Sequence, residues 1–160
     1  MLLIPANKRQ ADVVSLLSDV PVTLPALTRA VKLQDKAAKV GFDWPSLEPV
    51  FDKVKEELAE FEELAIARDP RALAAHSSWG GGKDAAIKDE FGDLLFVMAN
   101  VARHLQIDPE ACLRGANQKF IRRFTHIETR LAEQGRAPEQ STLAEMDALW
   151  DEAKARERGI

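Results

Sequence analysis

The stretch EELAEFEEL, Glu56–Leu64, places five glutamates in nine residues. Glutamate, leucine and alanine are strong helix formers, so it reads as helix. The nearest lysine in the chain is Lys55. The question is whether these carboxylates face only water or converge on a ligand. A helix turns by about 100° per residue. Val50, Val54, Leu58, Phe61 and Ala65 then fall on one apolar stripe, the mark of a helix that buries one face. With Val54 at the stripe's centre, Glu57 lies about 60° to one side and Glu60 about 120° to the same side. Glu56 and Glu63 point further away, and Glu62 to the opposite side, as on a solvated face.

A second segment repeats the arrangement. Ile87, Phe91, Leu94, Met98 and Leu105 form a stripe, and Glu90 and Asp93 stand three and six residues past Ile87. Two helices thus carry acids at i, i+3 on the same flank, close enough within each pair to share a ligand. Packed side by side they bring four carboxylates to the edge of one core. Such a cluster needs a cation or raised pKa values, and hard oxygen donors suit Mg²⁺ or Mn²⁺.

The rest of the chain supports an all-α reading. Of 160 residues, 46% are hydrophobic and 30% charged, enough for one globular domain with a core. There is no tyrosine, and long strand-like alternation is lacking. Residues 1–22 read as an irregular segment or linker, in which Ala11–Leu17 can form a short helix. Residues 23–160 read as one domain. Leu24–Val40 is a first helix, closed by Gly41, and Phe42–Pro45 makes a turn. A second helix, capped by Ser46, runs to about Arg68. A short helix follows from Asp69-Pro70 to about His76. The SSWGGGK connection lacks the pattern of a phosphate loop. Further helices span Asp84–Leu105, Asp108–Gln134 and Leu143–Arg158, with Thr142 and Glu145 as a capping box.

The net charge of −4 argues against broad contact with nucleic acid or anionic lipid. The single cysteine, Cys112, excludes an intrachain disulfide. No apolar run approaches the ~20 residues that span a bilayer. The order of apolar and basic residues in MLLIPANKRQ does not fit a secretion signal, so a cytoplasmic protein is expected.

Positive charge gathers in ANQKFIRRFTHIETRL. Leu113, Phe120, Phe124, Ile127 and Leu131 form its stripe, with Lys119 and Arg123 at i, i+4 on one flank and Arg130 beyond. Arginine at such a place can clamp phosphate oxygens bidentately. Trp150 and Lys154 repeat the i, i+4 spacing, suiting a base or sugar and a phosphate. Asn117 lies on the stripe and is expected to be buried.

EELAE at 56–60 followed by EFGD at 90–93 resembles the EExxE…ExxD signature of the MazG-type nucleoside triphosphate pyrophosphohydrolases. LPALTRAVKLQDKAAKVGFDWP, DEFGDLLFVMANVARHL, ANQKFIRRF and MDALWDEAK resemble the C-terminal catalytic domains of bacterial MazG proteins, over residues 24–155. The resemblance implies an all-α fold whose four-helix core is completed by dimerisation. It implies Mg²⁺-dependent hydrolysis of nucleoside triphosphates to the monophosphate and pyrophosphate. Glu57, Glu60, Glu90 and Asp93 would be metal ligands, and Glu56 a supporting acid. Lys119 and Arg123 would hold the triphosphate, with Trp150 and Lys154 contributing to nucleotide binding. Glu56, Glu57 or Glu60 would serve the catalytic step. MazG proteins usually have two homologous halves, where this chain holds one. The rival within the class is a pyrimidine-specific dUTP or dCTP pyrophosphatase. Outside it stands a non-catalytic helical dimerisation or regulatory module.

Overall fold

The computed structural model describes residues 14–66 and 82–159. The described residues hold five α-helices: α1 Ala26–Ala38, α2 Leu47–Ile66, α3 Gly82–His104, α4 Pro109–Ala132 and α5 Leu143–Glu157. A single 3-10 turn, Pro138–Gln140, stands between α4 and α5. Among the described residues there is no strand, as expected of an all-α chain, and no helix long and apolar enough to cross a membrane. The helix expected from Asp69 to His76, and most of the glycine-rich connection after it, lie outside the described residues.

The helix ends follow their punctuation. Gly41 adopts φ 86° after α1, which a glycine does without steric cost. This lets Phe42 N–H donate to the Ala37 carbonyl at 3.1 Å and closes the helix. Pro109 opens α4, where its missing N–H costs nothing. Thr142 caps α5 by accepting from Glu145 N–H at 3.2 Å. The Glu145 carboxylate is held chiefly by Arg136 and Ser141, with a smaller contribution from the Thr142 backbone N–H. Residues 16–19 form turns rather than a helix. Ser15 accepts from Leu17 N–H through its hydroxyl, competing with helical bonding.

The chain divides into two compact units between Asp108 and Pro109. In the first, α2 and α3 pack antiparallel, and α1 lies against α3. Val50, Val97 and Val101 form the buried centre, with Leu47, Val54 and Leu94 packed on it. The Gln34 side chain of α1 donates to the Phe96 carbonyl of α3 at 2.8 Å. In the second unit α4 and α5 form an antiparallel hairpin with Ile127, Leu131 and Ala153 buried.

The packing seam differs from the stripes read in the sequence. In α3 it runs through Glu90, Leu94, Val97 and Val101, while Phe91, Met98 and Leu105 of the expected stripe are exposed. In α2 it runs through Val50, Val54 and Glu57, and Leu58 is exposed. The cause is that α3 is apolar on two faces, so spacing alone cannot say which one meets α2. On α4, Asn117, Leu113 and Phe120 are exposed. The fifteen-residue α5 packs along the C-terminal part of α4, so the expected burial of Asn117 does not occur.

Candidate functional site

The shift of the seam explains why one glutamate is buried. Glu57 stands three residues after Val54 and four before Phe61, in line with the packed face rather than beside it. Its residue is 6% exposed. Glu90 continues the seam of α3 in the same way, four residues before Leu94. Antiparallel packing places these two acids opposite each other. The Phe61 and Phe91 rings, 5.4 Å apart between centroids, pack beside them.

Glu57, Glu90 and Asp93 each offer a carboxylate oxygen within 4.8 Å of the other two. Glu60 is exposed and lies outside that group of three, but its charge still reaches Glu90. Burial, followed by the charges of Glu60, Glu57, Asp93 and Asp89, pushes the Glu90 carboxyl above the usual carboxylate range. Like charges held at this separation disfavour one another's ionised forms. Three hard oxygen donors under mutual repulsion are a donor set that fits a divalent cation of the Mg²⁺ or Mn²⁺ kind.

One cation of the chain already reaches the cluster. Lys53 Nζ lies 2.7 Å from Glu57 Oε1 and 2.7 Å from Glu56 Oε1. These two hydrogen bonds, Glu56's the larger, raise the Lys53 pKa. Lys55, the lysine nearest in sequence, instead pairs with Asp52 at 2.8 Å. Helical reach is three or four residues, so the readable signal was Lys53 at i, i+3 and i, i+4. Lys53, Glu57 and Asp93 also line a cavity of about 320 Å³.

The basic candidates lie in the second unit. Arg123 donates to one oxygen, Glu157 Oε2, through both Nε at 3.0 Å and Nη2 at 2.7 Å. That bond, with the Arg123 and Arg122 charges, lowers the Glu157 pKa. The Arg123 guanidinium also lies 5.5 Å from the centroid of the Trp150 ring, and Phe120 packs 5.3 Å from the same ring. Lys154 pairs with Asp151 at 2.9 Å, and Lys119 is exposed. The structure therefore brings Arg123 and Trp150 together, and Glu57 with Glu90 and Asp93.

The family model of the MazG nucleotide pyrophosphohydrolase domain matches residues 46–128, which hold the acids of α2 and α3 together with Lys119 and Arg123. The chain is 36% identical over 151 residues to a Thermotoga maritima protein named nucleoside triphosphate pyrophosphohydrolase/pyrophosphatase MazG, covering 94% of this chain and 52% of that one. It is 40% identical over 143 residues to the Escherichia coli K12 nucleoside triphosphate pyrophosphohydrolase, covering 89% and 50%. It is 45% identical over 144 residues to the uncharacterized Bacillus subtilis protein YabN, covering 90% and 27%. The chain thus spans about half the length of the first two relatives.

Proposed function

Since the chain belongs to the MazG nucleotide pyrophosphohydrolase domain family, we propose that it hydrolyses nucleoside and deoxynucleoside triphosphates to the monophosphate and pyrophosphate. The observation that carries this reading is the convergence of Glu57, Glu90 and Asp93 on one point beside a cavity. These three, with Glu60 at their margin, would hold Mg²⁺, with Mn²⁺ as a substitute. A divalent cation there supplies charge neutralisation for the triphosphate and a lowered pKa for water.

The reaction is attack of a water oxygen on the α-phosphorus. The bond from that phosphorus to the α,β-bridging oxygen breaks, and its electron pair leaves with pyrophosphate. The water proton passes to a carboxylate of α2. Glu56 is exposed and paired with Lys53, which leaves part of its carboxylate open to that proton. Glu57 and Glu60 are the other acceptors within the signature. Lys119 and Arg123 would meet the phosphate oxygens, and Trp150 and Lys154 would contribute to nucleotide binding. For Arg123 this requires the exchange of the Glu157 carboxylate, whose Oε2 accepts both its bonds, for a phosphate oxygen.

Residues 23–160 act as the catalytic domain in this reading, after a preceding segment of residues 1–22. The working form is a homodimer. Its support is the exposure of apolar residues Phe91, Leu95 and Met98 on α3, Leu105 just after it and Leu58 on α2.

The test is product analysis in water enriched in oxygen-18. Monophosphate carrying the label, with unlabelled pyrophosphate, is expected, and EDTA should abolish it. Label in pyrophosphate would move the attack to the β-phosphorus. Diphosphate with orthophosphate would overturn the reaction class. Absence of any product would favour a non-catalytic helical module.

A further inference from the structure

The last turn of α5 carries Lys154, Arg156 and, as its final residue, Glu157. The carbonyls at a helix C-terminus favour cations and disfavour a carboxylate. Glu157 is therefore held by something other than its own helix. Its two oxygens are divided between neighbouring arginines of α4. Oε2 accepts from Arg123 Nε and Nη2 at 3.0 and 2.7 Å, and Oε1 accepts from Arg122 Nη2 at 3.3 Å. One acidic group thus spans two guanidinium groups, as a phosphoryl group would.

The contact can open without disturbing the core. The Glu157 side chain is 30% exposed and that of Arg122 60%, so a ligand reaches the pair from solvent. Glu157 lies a full turn beyond Ala153, the buried residue of α5. Its carboxylate can swing away while the hairpin stays packed. Arg123 keeps a second support, since its guanidinium lies 5.5 Å from the centroid of the Trp150 ring. The hydrogen bonding from Arg123, then the Arg123 and Arg122 charges, hold the Glu157 carboxyl below its ordinary range against the effect of burial. At neutral pH the carboxylate is ionised, and a competing anion rather than a proton displaces it.

We propose that Glu157 is an internal competitor of phosphate at Arg123. It occupies the guanidinium when the site is empty, yields to the triphosphate, and returns as pyrophosphate leaves. The inference rests on the reading of Arg123 as a phosphate ligand. A group that must first be freed lowers the apparent affinity by the fraction of molecules in which it is free. The competitor therefore weakens every anion that uses Arg123, product as well as substrate. Its use is to loosen pyrophosphate, which would otherwise stay on the arginine after the bond to the α-phosphorus has broken.

The experiment titrates inorganic pyrophosphate by calorimetry into the full chain in EDTA, so that no cation contributes. The wild type is compared with Glu157→Gln, Glu157→Ala and Glu152→Gln. Glu152→Gln removes the same charge from α5, but its carboxylate lies beside His126 and Arg130 instead. Both Glu157 variants are expected to bind pyrophosphate roughly threefold to fivefold more tightly, the scale of a partly exposed ion pair, and Glu152→Gln to stay within about twofold of the wild type. On an Arg123→Ala background Glu157→Gln should lose its effect, the coupling that a double-mutant cycle reads. Helix content by circular dichroism should be unchanged, because Glu157 stands at an exposed helix end. In steady-state hydrolysis of ATP, KM and the inhibition constant of pyrophosphate should fall together in Glu157→Gln. Weaker binding by the Glu157 variants would mean that the carboxylate orders Arg123 for its ligand, and would overturn the proposal. An equal gain from Glu152→Gln, or no pyrophosphate binding by any variant, would overturn it too. The expected binding pattern without hydrolysis of ATP would sink the enzyme reading alone. Hydrolysis with KM and pyrophosphate affinity indifferent to Glu157 would sink the competitor alone.

Discussion

The acids of α2–α3 and those of α4–α5 sit in opposite electrostatic conditions. In the second unit Glu145 and Glu157 each have an answering charge. Glu145 takes two hydrogen bonds from Arg136, at 2.6 and 2.8 Å, and one from Ser141. These hold its pKa down at about 2. Glu157 has Arg123 and Arg122. In the first unit Glu90 faces Glu57 and Asp93, and its carboxyl is pushed upward instead. Lys53 answers Glu57 and Glu56. A structural carboxylate such as Glu145 is satisfied by its own chain. A carboxylate kept for a ligand is left in need of one.

The largest effect expected from this contrast is the loss of function on neutralising the unsatisfied acids. Glu90→Gln should lower kcat/KM for nucleoside triphosphates on the order of 10³-fold, since it removes a cation ligand and the charge stabilisation that goes with it. The same change should leave the melting temperature of the cation-free protein unchanged or higher, because it relieves repulsion. A destabilised Glu90→Gln protein would show that the carboxylate is structural.

Next in size is stabilisation by the cation. Mn²⁺ at about a hundred times its Kd should add about 2.7 kcal/mol to stability. The pH dependence sharpens the contrast. A carboxyl whose folded pKa is raised contributes stability below its ordinary value and loses it as pH rises through the raised one. The cation-free protein should therefore gain more from Mn²⁺ at about pH 8 than at about pH 4, where glutamates take up protons. Glu145 behaves oppositely. Its depressed pKa gives stability above the ordinary glutamate value that is lost as pH falls toward about 2. Arg136→Ala should lower the melting temperature at neutral pH and flatten that acid dependence, as followed by circular dichroism.

The smallest effect is at Lys53. Because its ammonium competes for Glu57, Lys53→Met should tighten Mn²⁺ binding a few-fold, in keeping with the modest worth of a partly exposed pair. Weaker binding would mean that Lys53 orders Glu57 for the cation instead of competing with it.

Much of this was legible in the sequence. Gly41, Pro109 and Thr142 mark helix ends for local reasons that survive folding. The acids at 57, 90 and 93 could be paired because antiparallel helices with matched spacing meet predictably. The orientation of α3 was not legible, since Phe91 and Met98 compete with Val97 and Val101 for the core and only the packed chain decides. Lys53 is within reach of the spacing rules, three and four residues before Glu56 and Glu57. The cavity beside the acids could not be read at all. Gln34, Trp44 and Phe96, which also line it, come from separate parts of the chain, and no local periodicity joins them.

Calorimetric titration of Mn²⁺ into the wild type and Glu90→Gln, without nucleotide, tests the central claim most directly. Saturable binding by the wild type that is lost or strongly weakened in the variant is the expected result. Equal binding by both proteins, or none by the wild type, would contradict the assignment of Glu57, Glu90 and Asp93 as a cation site.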